Sequence, residues 1–365
     1  MQDLNASKYP TNSPMIGLGG SGDGPEVSVI IPAYNTEAYI ETAIASALNQ
    51  TLTNLEVVVV DDASTDQTAT LAEQIDDPRL RVIRLPYNQG AAVARNRALD
   101  AAHGRWVAVL DSDDWYAPER LEVLLKRAIA ADVDMIADDL YYVQDGASEP
   151  WTTLIRRSGE RVDAPRLIEA ADYVTSDLPG RSGLHLGFAK PIIKRSLLVT
   201  HRIRYDDAIR LGQDFFFYLK CLAHGAKFLL YPQAYYFYRA RPGSLVSKSQ
   251  LERLEQACQG LLAQLETEVV RQNPALTAAL EKKLQVCQRN RAYYRVVEPL
   301  KQRRFGAALK AAIRHPYFLV HALSPQTFAA RAAARDRRPA PAAASSPSLG
   351  VPSPSLHQDI SPRNP

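Results

Sequence analysis

The sequence predicts an α/β fold: a mostly parallel sheet flanked by helices, with a helical C-terminal appendage. Three observations predict it. Short β-branched apolar runs alternate with helical patterns through the first 140 residues, and that alternation implies βαβ crossovers. The runs are apolar at every position, as strands buried on both faces are. From Leu251 onward, Leu251, Leu254, Cys258, Leu261, Leu262, Leu265 and Val269 recur at helix spacing.

Taken in order, VSVII from Val27 to Ile31 is the first strand, and a helix follows across Glu37 to Leu48. LEVVVV (Leu55 to Val60) is the second strand, with a helix over Thr65 to Gln74. LRVIRL (Leu80 to Leu85), a helix over Gly90 to Ala102, WVAVL (Trp106 to Leu110), a helix over Pro118 to Ala130 and DMIA (Asp134 to Ala137) continue the rhythm. Trp151 to Gly183 is irregular, a lid or acceptor-facing region. Helices are expected at Pro191 to Val199 and Gln213 to His224, and a strand or hairpin in KFLLYPQAYYFYR.

The domain organisation expected is a disordered N-terminus (1–25), a nucleotide-binding half (26–140), an acceptor-binding half (141–245), a helical basic region (246–335) and a disordered tail (336–365). With 365 residues, 46% of them hydrophobic, the chain can bury a real core. Residues 301–340 hold nine Lys or Arg against one Asp, so the remainder is net acidic. Nucleic acid is therefore not an expected partner. Cys221, Cys258 and Cys287 are widely spaced and show neither a disulfide framework nor a zinc pattern. No leader and no run of about 18 apolar residues is evident, so the expected location is the cytoplasm, either soluble or peripheral on the cytoplasmic face of the inner membrane. The basic stretch 301–338 is equally well a membrane-surface helix or a solvated one.

Four motifs carry chemistry, each beside a plainer structural reading. GLGGSG (Gly17 to Gly22) fits GxGxxG, but it precedes the first strand, where a helix N-terminus cannot meet a pyrophosphate. PAYNTE (Pro32 to Glu37) ends the first strand; Tyr34 and Asn35 can frame a base and ribose, or simply form a capped turn. DDASTDQT (Asp61 to Thr68) ends the second: Ser64 and Gln67 suit a capping box, whereas Asp61 and Asp62 can accept a uracil imide or ribose hydroxyl. LDSDDW (Leu110 to Trp115) ends the fourth with three carboxylates around Ser112. Such a crevice suits a hard cation, Mg²⁺ or Mn²⁺, that also takes substrate phosphates.

VSVIIPAYNTEAYIETAIASALNQTL, LEVVVVDDASTD, NQGAAVARNRAL and WVAVLDSDDW, in this order, resemble the family 2 glycosyltransferases with the Rossmann-like GT-A fold, strongly over residues 27–140 and more weakly to about 245. Among them, nonprocessive bacterial exopolysaccharide enzymes of the succinoglycan glucosyltransferase type look most similar. The resemblance implies that Pro32, Tyr34 and Asp62, with Asn35, Glu37 and Asp61 around them, face a nucleotide. It implies that Arg95 meets the diphosphate and that Asp111, Ser112, Asp113 and Asp114 form the DxD region whose carboxylates hold the metal. It places the catalytic base at Asp214 in LGQDFFFYL, where Gln213 replaces the family's Glu; a plain N-cap is the alternative for Asp214. Arg239 and Arg241 in YFYRARPGSLV are expected on a loop closing over the diphosphate. The QxxRW pattern of processive synthases is missing.

The implied reaction is inverting, metal-dependent transfer of a hexose from a UDP-sugar to a saccharide or lipid-linked oligosaccharide acceptor. Two rivals stay open at this point: a non-catalytic nucleotide-binding scaffold, which Gln213 keeps alive, and a sugar-phosphate nucleotidyltransferase.

Overall fold

The computed structural model describes residues 24–179, 183–241 and 249–314. The glycine run 17–22, most of the expected N-terminal disorder, the tail and the basic residues 315–338 lie outside them. The first half runs β1 (Val27–Ala33), α1 (Ile40–Leu48), β2 (Leu55–Asp61), α2 (Thr68–Glu73), β3 (Leu80–Arg84), α3 (Ala91–Ala101) and β4 (Trp106–Val109). All residues of β1 and β4 are buried, which is why their sequences are apolar without alternation. Parallel pairing sets Ala33 beside Asp61 and Ile30 beside Val109. The turns after β1, β2 and β4 therefore open on one edge, the carboxyl end of the sheet, where parallel sheets bind ligands.

The second half runs β5 (Trp115–Tyr116), α4 (Arg120–Ala130), β6 (Met135–Gln144), β7 (Pro150–Thr153), α5 (Leu154–Ser158), β8 (Arg166–Ile168), α6 (Ala170–Ser176), a 3-10 turn (Leu186–Phe188), β9 (Ile192–Lys194), α7 (Arg195–Thr200), α8 (Gln213–Ala223) and β10 (Phe228–Ala240). The sheet order is β3-β2-β1-β4-β9-β6-β10-β5, with β7 on β6 and β8 on β10. Three local expectations take definite form, and one of them needs correction. Among its described residues, Trp151 to Gly183 holds two short strands and two short helices joined by irregular segments. The expected helix at Pro191 begins as β9, antiparallel to both β4 and β6, because Ile192 and Ile193 fill the gap between those strands and are buried there. Of the strand or hairpin expected in KFLLYPQAYYFYR, the strand is formed: β10 runs parallel to β6, with register shifts between Tyr231 and Tyr236, around Pro232, which has no N–H to donate.

The appendage comprises α9 (Gln250–Leu265), α10 (Glu268–Arg271), α11 (Pro274–Lys301) and α12 (Phe305–Arg314). Ser249 caps α9 by accepting the Leu251 N–H, and Asn273 caps α11 by accepting that of Leu276. Leu254, Cys258 and Leu261 of α9 and Leu276, Leu280 and Leu284 of α11 join the same core as the sheet. Gly260 admits the Phe216 ring of α8 so closely that a Cβ there would lie 2.7 Å from Phe216 Cε1. Lys283 of α11 pairs with Asp177 at 2.8 Å. Among the described residues no helix is long and apolar enough to cross a membrane.

Candidate active site

At the carboxyl edge of the sheet lies a cavity of about 880 Å³. Its first wall comes from the turns after β1 and β2, which are clasped together. Asn35, at φ 50°, accepts the Thr65 N–H at 2.8 Å and donates its own N–H to Ser64 Oγ at 3.0 Å. The capping box expected of Ser64 and Gln67 is therefore not formed: the Ser64 hydroxyl faces Asn35, and Asp66 accepts the Thr68 N–H where α2 begins. Pro32, Tyr34, Asn35 and Asp62 line the cavity, Tyr34 with 45% of its surface exposed.

The two aspartates of β2 divide their roles. Asp62 accepts the N–H groups of Gln89 and Gly90, both at 2.7 Å, and so fixes the start of α3; Gly90 reaches that position at φ 95°, a conformation glycine adopts without strain. Asp61 and Glu37 lie outside the cavity lining. Asp61 accepts the Ser64 N–H at 3.0 Å, and Glu37 accepts that of Gln67 at 2.9 Å.

The second wall is a buried network across α3, the end of β4 and the start of α8. Arg95 reaches Asp111 at 2.8 Å and Gln213 Oε1 at 2.7 Å. Lys190, 5% exposed, bridges Asp111 at 2.8 Å and Asp214 at 2.6 Å. Tyr205 donates its hydroxyl to the other oxygen of Asp214 at 3.2 Å. Burial works against the charge of Asp111, yet Lys190 and Arg95 hold its carboxyl well below the usual range. Gly212, at φ 73°, turns the chain into α8 so that Gln213 and Asp214 point into this network. Two cations thus face two carboxylates, and the neutral Gln213 satisfies Arg95 without adding a third negative charge.

The third wall is the DxD turn and the end of β10. Asp113 lines the cavity with Ser112 and pairs with Arg241 at 2.5 Å. Asp114 points away: Tyr236 donates to it at 2.7 Å and the Arg239 N–H at 2.8 Å, and burial beside Asp113 and Asp111 pushes its pKa well up. Arg239 lies outside the lining, its guanidinium held between the rings of Tyr39 and Trp115 and donating to the Asp113 carbonyl. The expectation of three carboxylates around one cation is corrected accordingly: among the described residues no three acidic, His or Cys side chains gather for a metal. Asp111 and Asp113 both line the cavity, but Asp111 is engaged by Lys190 and Arg95, which leaves Asp113, on the turn rim, as the carboxylate that fits a hard cation completed by substrate phosphates. Residues 242–248, the expected closing loop, lie outside the described residues.

Residues 28–187 match the family described as Glycosyl transferase family 2. The chain is 36% identical over 306 residues to the succinoglycan biosynthesis protein ExoO of Rhizobium meliloti, covering 82% of this chain and 85% of that protein. The chain belongs to glycosyltransferase family 2. S. aureus TarS residues 1–349 in complex with UDP share the fold at TM-score 0.56 and 24% identity, over 85% of this chain and 88% of that one. The mannosyltransferase PcManGT of Pyrobaculum calidifontis, in complex with GDP-Man and Mn²⁺, aligns at TM-score 0.50 and 20% identity, over 86% and 88%. Family membership decides for a glycosyltransferase over the nucleotidyltransferase reading.

Several cavity residues of this glycosyltransferase carry no sequence signal. Lys190 sits alone in GFAKP, and nothing in its spacing announces that it lies between two aspartates distant in the chain. Asp177 holds both His185, at 2.8 Å, and Lys283 of the appendage, and all three line the cavity. The resemblance faded toward residue 245, so a helix beyond it gave no reason to expect a contribution to the site.

Proposed function

We propose that the glycosyltransferase moves a hexose, with inversion, from a UDP-sugar to a saccharide acceptor in bacterial cell-surface polysaccharide biosynthesis. The observation that carries this reading is that Asp214, Asp113 and the nucleotide-facing residues Tyr34, Asn35 and Asp62 line one cavity. The UDP in TarS and the role printed for ExoO support the donor and the pathway class.

Tyr34 stacks on the base and Asn35 frames the ribose, while Asp62 keeps the α3 amides in place beside them. Arg95, whose Nε has no partner among the described residues, and Arg241 face the diphosphate. Asp214 takes the proton of the acceptor hydroxyl as that oxygen attacks the anomeric carbon; the bond to the diphosphate oxygen breaks through an oxocarbenium-like state, and UDP leaves. Lys190 and Tyr205 each occupy one lone pair of Asp214 and leave others for the proton. Asp113 would hold Mg²⁺ or Mn²⁺ together with the diphosphate, and the cation would supply charge neutralisation to the leaving group; the Mn²⁺ in PcManGT supports the choice of ion.

The test is UDP release from a panel of nucleotide sugars with Mn²⁺ and an oligosaccharide acceptor. Asp113→Ala is expected to lower metal-dependent turnover at least about a hundredfold with the fold intact by circular dichroism. Wild-type rates that do not change on adding EDTA would remove the metal from the reading, and release of pyrophosphate in place of UDP would remove the reaction.

The acceptor in this reading is lipid-linked and the protein rests on the cytoplasmic membrane face. On α12, Phe305, Leu309 and Ile313 are 67%, 65% and 73% exposed, one helical stripe, and Arg303, Arg304, Lys310 and Arg314 around them are exposed too. An apolar stripe flanked by basic residues suits an anionic lipid surface. Flotation with vesicles of mixed phosphatidylglycerol and phosphatidylcholine is expected to carry the wild type up. Replacing the three apolar residues by Ser should leave the protein in the soluble fraction, and unchanged flotation of that variant sinks the idea.

A further inference from the structure

We propose that Arg210 and Arg253 form a second anion subsite in the cavity, which binds a negatively charged group on the acceptor; the proposal rests on the glycosyl-transfer reading above. Both arginines line the cavity. One contact ties the stretch carrying Arg210 to the helix carrying Arg253: Gln256 Oε1 of α9 accepts the backbone N–H groups of Arg210 and Leu211, both at 2.8 Å. Arg253 lies three residues before Gln256 and so shares its helix face.

Among the described residues every other basic side chain lining the cavity has a carboxylate partner. Arg95 and Lys190 serve Asp111 and Asp214, Arg241 serves Asp113, and His185 and Lys283 serve Asp177. Arg210 and Arg253 have neither an ion pair nor a side-chain hydrogen bond among the described residues. Asp207, on the same stretch of chain, turns its carboxylate to Asn96 Nδ2 at 3.1 Å. A planar guanidinium matches phosphate and carboxylate oxygens in bidentate fashion, and two of them on one wall suit a doubly charged group better than a single acid.

Their position separates this subsite from the donor. The nucleotide wall comes from the turns after β1 and β2, and the diphosphate side from Arg95, Asp113 and Arg241. Arg210 and Arg253 come from the lead into α8 and from α9, segments that supply none of those donor-facing side chains. An acceptor whose hydroxyl reaches Asp214 would place a charged group there. Two sources share that chemistry: the diphosphate of a lipid-linked saccharide, and an acidic substituent such as a uronic carboxylate.

Calorimetric titration of the UDP-loaded full chain distinguishes them. Four probes are compared: a neutral disaccharide, the same disaccharide on a short prenyl diphosphate, one bearing a uronic acid, and inorganic pyrophosphate. One anionic disaccharide is expected to bind at least about tenfold tighter than the neutral one, as two charge-assisted contacts allow. Tighter binding of the prenyl diphosphate form names the lipid carrier, and tighter binding of the uronic form names an acidic repeat unit. Arg210→Gln with Arg253→Gln should erase the preference and leave UDP affinity unchanged; Arg253→Gln alone, which should reduce it, serves if the double variant does not fold.

Equal binding of neutral and anionic probes overturns the proposal, as does a variant that keeps the preference. A fall in UDP affinity in the variant also overturns it, since the arginines would then belong to the donor. Failure of the wild type to bind UDP would instead sink the glycosyl-transfer reading, and pyrophosphate binding by wild type and variant without UDP would still judge the arginine pair.

Discussion

Asp214→Asn is expected to lower kcat by about two to four orders of magnitude, the usual worth of a general base, while UDP affinity stays within about twofold of wild type. The Asn side chain keeps the size of Asp214, and its amide oxygen can still accept from Lys190 or Tyr205, so the start of α8 stays in place. Only the ability to take the acceptor proton is lost. Steady-state UDP release read beside calorimetric UDP binding separates the two effects. A variant that turns over at the wild-type rate would move the base elsewhere in the cavity; one that loses UDP affinity would make Asp214 a donor residue.

Lys190→Met is expected to have the largest effect on the fold itself. It removes one ammonium from between Asp111 and Asp214, which would then share only Arg95, at the far end of the network, as a cation. Leaving buried carboxylates without their partner costs about 3–5 kcal/mol, a large share of the stability of an ordinary domain. Chemical denaturation should show the midpoint falling at unchanged slope. Lys190→Arg, which keeps the charge, should recover most of the stability, while turnover depends on whether the longer group still leaves Asp214 free on its acceptor side. A Met variant as stable as wild type would show that the network is not held by this charge.

The first half was legible because its signals are local. A short run of β-branched residues such as VVVV reads as a strand buried on both faces, and the carboxylates at the ends of β2 and β4 fall on one edge as soon as the strands are parallel. The second half was less legible because its decisive contacts join residues far apart. β9 is a strand only because β4 and β6 leave a gap that Ile192 and Ile193 fill, and helical periodicity in isolation reads the same residues as the start of α7. The DxD carboxylates show the same limit at the site: the sequence puts three side by side, but turn geometry sends Asp111 to Lys190, Asp113 to the cavity and Asp114 to Tyr236. Gln213 looked like a lost carboxylate, whereas its contact with Arg95 makes it the neutral member of a balanced set.

The closeness of Gly260 to Phe216 bears on how this enzyme can be re-engineered. A chimera that takes its first 245 residues from one relative and its C-terminal helices from another would bring together two surfaces shaped to different partners, with a bulky side chain in place of Gly260 driven against the Phe216 ring of the helix that carries Asp214. New specificities are better sought by exchanging α8, α9 and α11 as one inheritance unit.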